Sequence, residues 1–335
     1  MITLDHIRRP VERQLEEFRT FYEEFAERLF HTSCPLLEEM LRHAFSTQGK
    51  AVRPLVVLLS AALNSPRGLD AIGRRTYLAA LLIEMIHTTS LIHDDVLDES
   101  DSRRGKPTAN ALWQSKNAVL LGDYLLSKTM TAGLQSAQYD LVDHISRATA
   151  VLCEGELLQG DCARRQALTR EDYFRIIHLK TAALFGISAS AGALSVRAPR
   201  ERVELMRRFG EALGDAFQIQ DDLLDYTRSA ATGKPANNDL REGKITLPLL
   251  SVLERCDAAR REHLLQLLQR AATDEAAVDA LQQAVEAGGG MEEARRVMHD
   301  RVTMALGALG CIPEADAPAG KALADLCIFV SDRNS

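Results

Sequence analysis

The sequence predicts an all-α fold: one large helical bundle spanning residues 1–335. Three observations carry that expectation. Ala, Leu, Glu and Arg dominate long windows of the chain, and these side chains lose little on entering a helix. No stretch shows the apolar/polar alternation of a half-buried strand. Apolar runs such as Leu78-Ala79-Ala80-Leu81-Leu82-Ile83 and Val119-Leu120-Leu121 are apolar on several faces, which suits central rather than surface helices.

Breaks divide the chain in order. They fall at Asn64-Ser65-Pro66-Arg67-Gly68, at 103–107, at Arg197-Ala198-Pro199, at 232–238, at Gly288-Gly289-Gly290 and at 313–320. Helices of about ten to twenty-five residues are expected between them. With 335 residues the chain is long enough for two domains, but no Pro/Gly/Ser-rich linker divides it, so a single domain is expected.

A net charge of −7 and a pI near 5.8 argue against a nucleic-acid partner, which needs a basic face. No uninterrupted apolar run approaches the roughly 20 residues of a membrane span. The polar start Ile2-Thr3-Leu4-Asp5-His6 lacks a signal-peptide core, so a cytoplasmic protein without a transmembrane segment is expected. Cys34, Cys153, Cys162, Cys256, Cys311 and Cys327 show no CxxC spacing, and reduced thiols are expected.

The chemistry lies in two clusters that echo one another, Asp94-Asp95-Val96-Leu97-Asp98 and Asp221-Asp222-Leu223-Leu224-Asp225, each preceded by apolar residues. In a helix the first and last Asp of each sit at i and i+4, one above the other. Such like-charge pairs cost about 0.2–0.5 kcal/mol each, so a cation must offset the crowding. Carboxylate oxygens suit Mg²⁺, which also takes water and substrate phosphate oxygens. Each cluster is followed by basic, glycine-containing segments: Arg103-Arg104-Gly105-Lys106-Pro107 after the first, Gly233-Lys234-Pro235 and Glu242-Gly243-Lys244 after the second. Acid followed by base is the pattern of a metal-bridged phosphate site, in which Arg offers a planar fork and Lys a compact charge.

Through these motifs the chain resembles the trans-isoprenyl diphosphate synthases of the polyprenyl synthetase family. The likeness runs from Gly49-Lys50-Ala51-Val52-Arg53-Pro54 through 84–110, Glu154-Gly155-Glu156-Leu157-Leu158-Gln159, Lys180-Thr181-Ala182 and the second Asp cluster to 239–248. Asn237 stands where the family usually has Gly, and Asn tolerates left-handed backbone. The resemblance implies a bundle of the isoprenoid synthase type with a central cavity, a homodimer, and Mg²⁺ as cofactor, three ions per site, with Mn²⁺ as an alternative. It assigns Asp94, Asp95, Asp98, Asp221, Asp222 and Asp225 to metal, and Lys50, Arg53, His87 and Arg104 to the diphosphate of isopentenyl diphosphate. Arg103, Lys180, Lys234 and Lys244 fall to the allylic diphosphate, and Lys180, Thr181 and Gln218 to the neighbourhood of the developing carbocation.

The implied reaction joins isopentenyl diphosphate head-to-tail to an allylic primer. His87, Ser90, Asp94 and Asp98 form one stripe on the first motif helix, charged at the mouth and quieter inside. Ser90 and Thr89 are small at positions where short-chain family members often carry an aromatic. The floor of the chain-length pocket is therefore expected deeper, near Met85, Ile86, Leu121 or Leu125, and a medium- or long-chain product of octaprenyl type is expected. The alternative is a farnesyl or geranylgeranyl synthase. A class I terpene cyclase normally carries Asn or Ser and Glu in its second metal motif. A ferritin-like di-iron bundle needs two ExxH motifs, and Glu84-Met85-Ile86-His87 supplies one. A non-catalytic partner subunit would have lost acidic residues, and all six Asp remain.

Overall fold

The computed structural model describes residues 2–46, 49–165, 168–227 and 237–333. Lys234 lies outside the described residues. The helices follow in the order α1 (Leu4–Arg8), α2 (Glu12–Phe30), α3 (Pro35–Ser46), α4 (Val52–Leu63), α5 (Arg74–Leu97), α6 (Ala109–Gln135), α7 (Tyr139–Arg165) and α8 (Arg170–Ile177). A π-turn (His178–Ala182) leads directly into α9 (Ala183–Ser195). After it come α10 (Arg200–Thr227), α11 (Asn238–Arg241), α12 (Leu247–Arg255), α13 (Ala258–Arg270), α14 (Glu275–Ala287), α15 (Gly290–Gly310) and α16 (Pro318–Asp332).

Helices α4, α5, α9 and α10 form the centre. Every residue of α4 from Pro54 to Leu63 is buried, as is most of α9, so neither has a polar face to offer water. The small residues of α9 let α4 approach until Ser60 Oγ donates to the carbonyl of Ala189 at 2.5 Å. Buried hydroxyls here return to their own helix: Ser188 to Leu184 O at 2.6 Å and Ser195 to Gly192 O at 2.7 Å. Without such partners each would cost about 1–3 kcal/mol. The apolar core is continuous from Ile7 on α1 to Val330 on α16.

Most of the anticipated breaks fall between helices: 64–68 lies between α4 and α5, 197–199 between α9 and α10, and Gly289, with φ 68°, between α14 and α15. Others carried no Gly or Pro to mark them. The turn between α6 and α7 is made by Ala137 at φ 56°, and α8 begins on a capping box in which Thr169 and Asp172 satisfy each other's backbone N–H. Two findings depart from the sequence reading. Ser102–Arg103 and Lys106–Pro107 pair as a minimal antiparallel hairpin, because Arg104 and Gly105 both take positive φ and make the turn that matches strand twist. The segment Arg170–Ser195 is long and apolar enough to cross a membrane by length and composition, although no unbroken run suggested it. Its apolar window is 78% buried within the protein, so that surface is already used in the core.

Candidate active site

Both acidic clusters sit at helix C-termini. Helix α5 ends at Leu97, so Asp94 and Asp95 occupy its last turn and Asp98 is its C-cap, with its N–H on the Asp94 carbonyl at 2.8 Å. Asp221, Asp222 and Asp225 occupy the last two turns of α10. The helix dipole is negative at that end, which adds to the like-charge crowding within each cluster. Burial, then Glu156, pushes the Asp94 carboxyl up to about 7. Burial, then Asp239, pushes Asp222 up to about 8. Lys244 Nζ lies 3.9 Å from Asp98 and 2.6 Å from Glu242, and Lys244 lines one cavity together with Asp222.

The six carboxylates are not equivalent. Asp95 is buried and takes the Arg103 Nε at 2.7 Å. Asp222 is buried with both oxygens engaged, accepting from the Tyr173 hydroxyl at 2.6 Å and the Gln218 amide at 3.0 Å. Asp225 accepts the N–H groups of Asn238 at 3.2 Å and Asp239 at 3.0 Å, so it caps α11 and shapes the chain after the second cluster. Asn237 starts that helix at φ 62°, the left-handed conformation that Asn tolerates, and its N–H bonds the Asp225 carbonyl. Asp221 is half-buried and meets Arg333, near the C-terminus, at 2.6 Å. The Arg333 guanidinium also stacks on Phe217 at 4.0 Å.

A second group of basic residues gathers around His87 of α5, with acidic Glu84 and Asp95 among them. A cavity of about 530 Å³ is lined there by Gly49, Ala51, Glu84, His87, Leu91, Arg103 and Arg104, with Arg8 and Arg19 from the N-terminal helices. Gly49 leaves space for Arg104, whose guanidinium would lie 2.5 Å from a Cβ there and would have to shift to admit one. Arg53 Nη1 donates to His87 Nε2 at 2.9 Å, and its guanidinium lies 4.8 Å from the Phe185 ring centre. Because guanidinium only donates, that His87 nitrogen is an acceptor and the ring is neutral. Burial, then Arg53, lowers the His87 pKa in agreement. Arg53 itself is lowered to about 10, chiefly by burial. Lys50 and Arg53 do not share a helix turn, because α4 begins only at Val52 and Ala51 is left-handed at φ 47°. Lys50 is exposed, and its carbonyl takes Arg8 Nη2 at 2.5 Å.

A second cavity of about 530 Å³ is lined by Gln159, Tyr173, Lys180, Gln218, Asp222, Asp239 and Lys244, with Ile176, Ile177, Leu265 and Leu268 behind them. Lys180 reaches Glu156 at 2.6 Å and Gln159 at 2.9 Å. Thr181 donates to the Gln218 carbonyl oxygen at 2.8 Å, so a hydrogen-bonded chain runs Thr181, Gln218, Asp222, Tyr173. Met85, Ile86 and Thr89 are buried and line neither cavity, nor does half-buried Ser90, which bonds the His87 carbonyl at 2.9 Å. Leu121 and Leu125 are likewise fully packed. His93 faces α6, within 3.3 Å of the Val119 carbonyl.

Glu156, Tyr173, Asp239 and Arg333 belong to the site but were not singled out from sequence. Asp239 follows the second cluster by less than one helix and could have been suspected. Tyr173 and Arg333 carry no local signal, since only the packing of α8 and of the C-terminus against α10 brings them in. Among the described residues no three His, Cys, Asp or Glu side chains form a ready-made metal cage. The donor set still fits Mg²⁺, which takes one or two carboxylates and completes its shell with water and phosphate oxygens. Uncompensated acid at two helix C-termini is what such an ion would relieve.

The polyprenyl synthetase family model matches residues 34–285. The chain is 34% identical to an all-trans-nonaprenyl-diphosphate synthase (geranyl-diphosphate specific) of Rhodobacter capsulatus, over 84% of each chain. It is 36% identical to a short chain isoprenyl diphosphate synthase of Methanothermobacter thermautotrophicus, over 88% of this chain and 91% of that one. The fold is similar to a polyprenyl synthase of Caulobacter crescentus solved with calcium and isoprenyl diphosphate, with TM-score 0.87 and 29% identity over 99% of this chain and 98% of that one. Paired acidic helix ends, a separate basic cavity and these likenesses agree, and the chain belongs to the polyprenyl synthetase family.

Proposed function

We propose that the protein condenses isopentenyl diphosphate with an allylic diphosphate primer, head-to-tail and repeatedly, to give a medium- or long-chain all-trans polyprenyl diphosphate. The observation that carries this reading is a pair of distinct cavities: one lined by Asp222, Asp239, Lys180 and Lys244, the other by His87, Arg103 and Arg104, with Arg53 bonded to His87. The allylic diphosphate would lie at the acidic side, where Mg²⁺, when bound, would neutralise it as a leaving group. Asp94 and Asp98 are the carboxylates least engaged by protein groups and would hold that metal, together with Asp221, which is shared with Arg333; Asp95, Asp222 and Asp225 are more fully held by the protein.

Lys180 and Lys244 add charge against the leaving diphosphate. The Thr181 and Gln218 oxygens turn their dipoles toward the developing cation without attacking it. Arg53, Arg104 and neutral His87 hold isopentenyl diphosphate with its alkene directed at that cation. The alkene attacks, a proton is lost to the departing diphosphate, and the product, one isoprene unit longer, re-enters as primer. The long-chain preference is supported by small Ser90 and Thr89 and by the nonaprenyl relative; the short-chain relative keeps a farnesyl or geranylgeranyl product as the second reading. Exposed Leu112, Leu120, Leu134 and Leu157 on α6 and α7 support a homodimer through these helices.

Labelled isopentenyl diphosphate with geranyl, farnesyl or geranylgeranyl diphosphate and Mg²⁺, followed by chromatography of the dephosphorylated products, tests the proposal. Elongated all-trans products are expected, and Asp94→Ala or Asp221→Ala should abolish most of them. Normal turnover by either variant at limiting Mg²⁺ would exclude its cluster from metal binding.

A further inference from the structure

Asp215 is a buried acid with no part in the proposed condensation, 7% exposed on α10. It lies one turn before Gln218 and two before Asp222, and therefore shares their face. His178 Nδ1 approaches it to 3.8 Å, and Arg301 Nη1, from α15, to 3.7 Å. Its Oδ1 makes no direct hydrogen bond, so these groups are close enough for ion pairing and for a bridging water rather than for direct bonds. His178 also faces Glu211 at 4.0 Å, and the Arg301 guanidinium lies 4.9 Å from the Phe174 ring centre.

His178 is the first residue of the π-turn that carries Lys180 and Thr181. A π-turn widens the helix by one residue, which rotates the downstream residues by about 100° relative to a continuous α-helix. In this chain that offset accompanies an arrangement in which Lys180 meets Glu156 and Gln159 on α7 while Thr181 meets Gln218 on α10. Such a turn is less favourable than the helix around it and persists when its surroundings hold it. Two glycines let the backbones grip it. A Cβ on Gly155 of α7 would lie 2.9 Å from Leu179 and Lys180 side-chain carbons, and one on Gly214 of α10 would lie 2.5 Å from the Ala182 Cα. Asp215 is the next residue after that second contact.

We infer that His178 and Arg301 close on buried Asp215 as an ionic latch that ties the π-turn to α10 and α15, which makes Asp215 a positioning residue for Lys180 and Thr181. The activity readout rests on the prenyltransferase reading; the latch itself is read without it. Asp215→Asn and His178→Phe are compared with wild type by backbone hydrogen exchange and by steady-state kinetics. Faster exchange is expected at the amides of residues 178–183, with α4 and α12 unchanged. A tenfold to hundredfold loss in kcat, about what a misplaced catalytic group costs, is expected with the KM for isopentenyl diphosphate nearly constant. The double variant should lose no more than the worse single one, since both break the same latch. Arg301→Lys, which keeps the charge, should retain most of the activity. Unchanged exchange in the turn, additive losses, or a KM for isopentenyl diphosphate that rises as much as kcat falls would overturn the latch. Failure of wild-type protein to elongate any primer would instead count against the functional reading, leaving the exchange result to decide the latch.

Discussion

At the scale of single residues, the pairing of Arg53 with neutral His87 sits at the proposed site of the second diphosphate. The guanidinium is buried against Phe185 and donates to His87, which lines the same cavity as Arg104. Charge-assisted hydrogen bonds to phosphate contribute about 1.5–3 kcal/mol each, so Arg53→Ala should raise the KM for isopentenyl diphosphate by about ten- to a hundredfold. The KM for the allylic primer should change far less, because the proposed site of that diphosphate is the other cavity. Equal increases in steady-state titrations of both substrates would show that the clamp is misassigned. The chemical types were readable from the sequence at this scale, but their partners were not. Asp225 reads like the other five Asp, yet spends its oxygens on backbone N–H groups of α11, and nothing local marks Tyr173 as the donor to Asp222.

At the scale of elements, the proposed reaction gives α5 two tasks, the metal end and the path of the growing chain. Ser90 lies one turn from Asp94, half-buried with its hydroxyl on the His87 carbonyl. Thr89 is more enclosed: it is 4% exposed, packed within the bundle, with its Oγ1 unpaired. Ser90→Phe is therefore the discriminating variant. It places a ring about 6 Å of helix rise from the carboxylates and should shorten the product to farnesyl or geranylgeranyl length at a similar rate of first condensation. Thr89→Tyr should cost stability as well, because overpacking of a filled site costs about 1–3 kcal/mol. Wild-type product length from Ser90→Phe, measured by chromatography of the dephosphorylated products, would show that the chain does not follow this helix.

For the whole molecule, the uncompensated acid has a thermodynamic consequence. Folding raises the Asp94 carboxyl to about 7 and Asp222 to about 8, whereas unfolded Asp titrates near 4. Between those values the native state binds more protons than the unfolded one, so their stabilising contribution is lost as pH rises through 7 and 8. His87 and His144, lowered by burial, act in the opposite sense, but their effect is complete by about pH 7. The Tm of metal-free protein should therefore fall between about pH 7 and about pH 8.5. Mg²⁺ should offset the fall at the upper end, where the carboxylates are free to bind it. A Tm that is flat over this range in calorimetry, with or without Mg²⁺, would contradict the placement of these acids.

The sequence by itself determined the helical class, because helix propensity and the absence of strand alternation are summed locally over many residues. It also located the two acidic clusters, because carboxylates one turn apart on one face crowd each other whatever the fold and so point to a counter-charge. Breaks marked by Pro or Gly were legible for the same local reason; the turn at Ala137 was not, since the chain there adopts a conformation that its own residues do not prefer. Only the tertiary structure decided that Lys50 stands outside the helix of Arg53, that Arg333 from the far end of the chain meets Asp221, and that a π-turn presents Lys180 and Thr181. Each of these depends on contacts between residues distant in the chain, whose energies arise only when helices pack and which leave no periodic trace in the order of the amino acids.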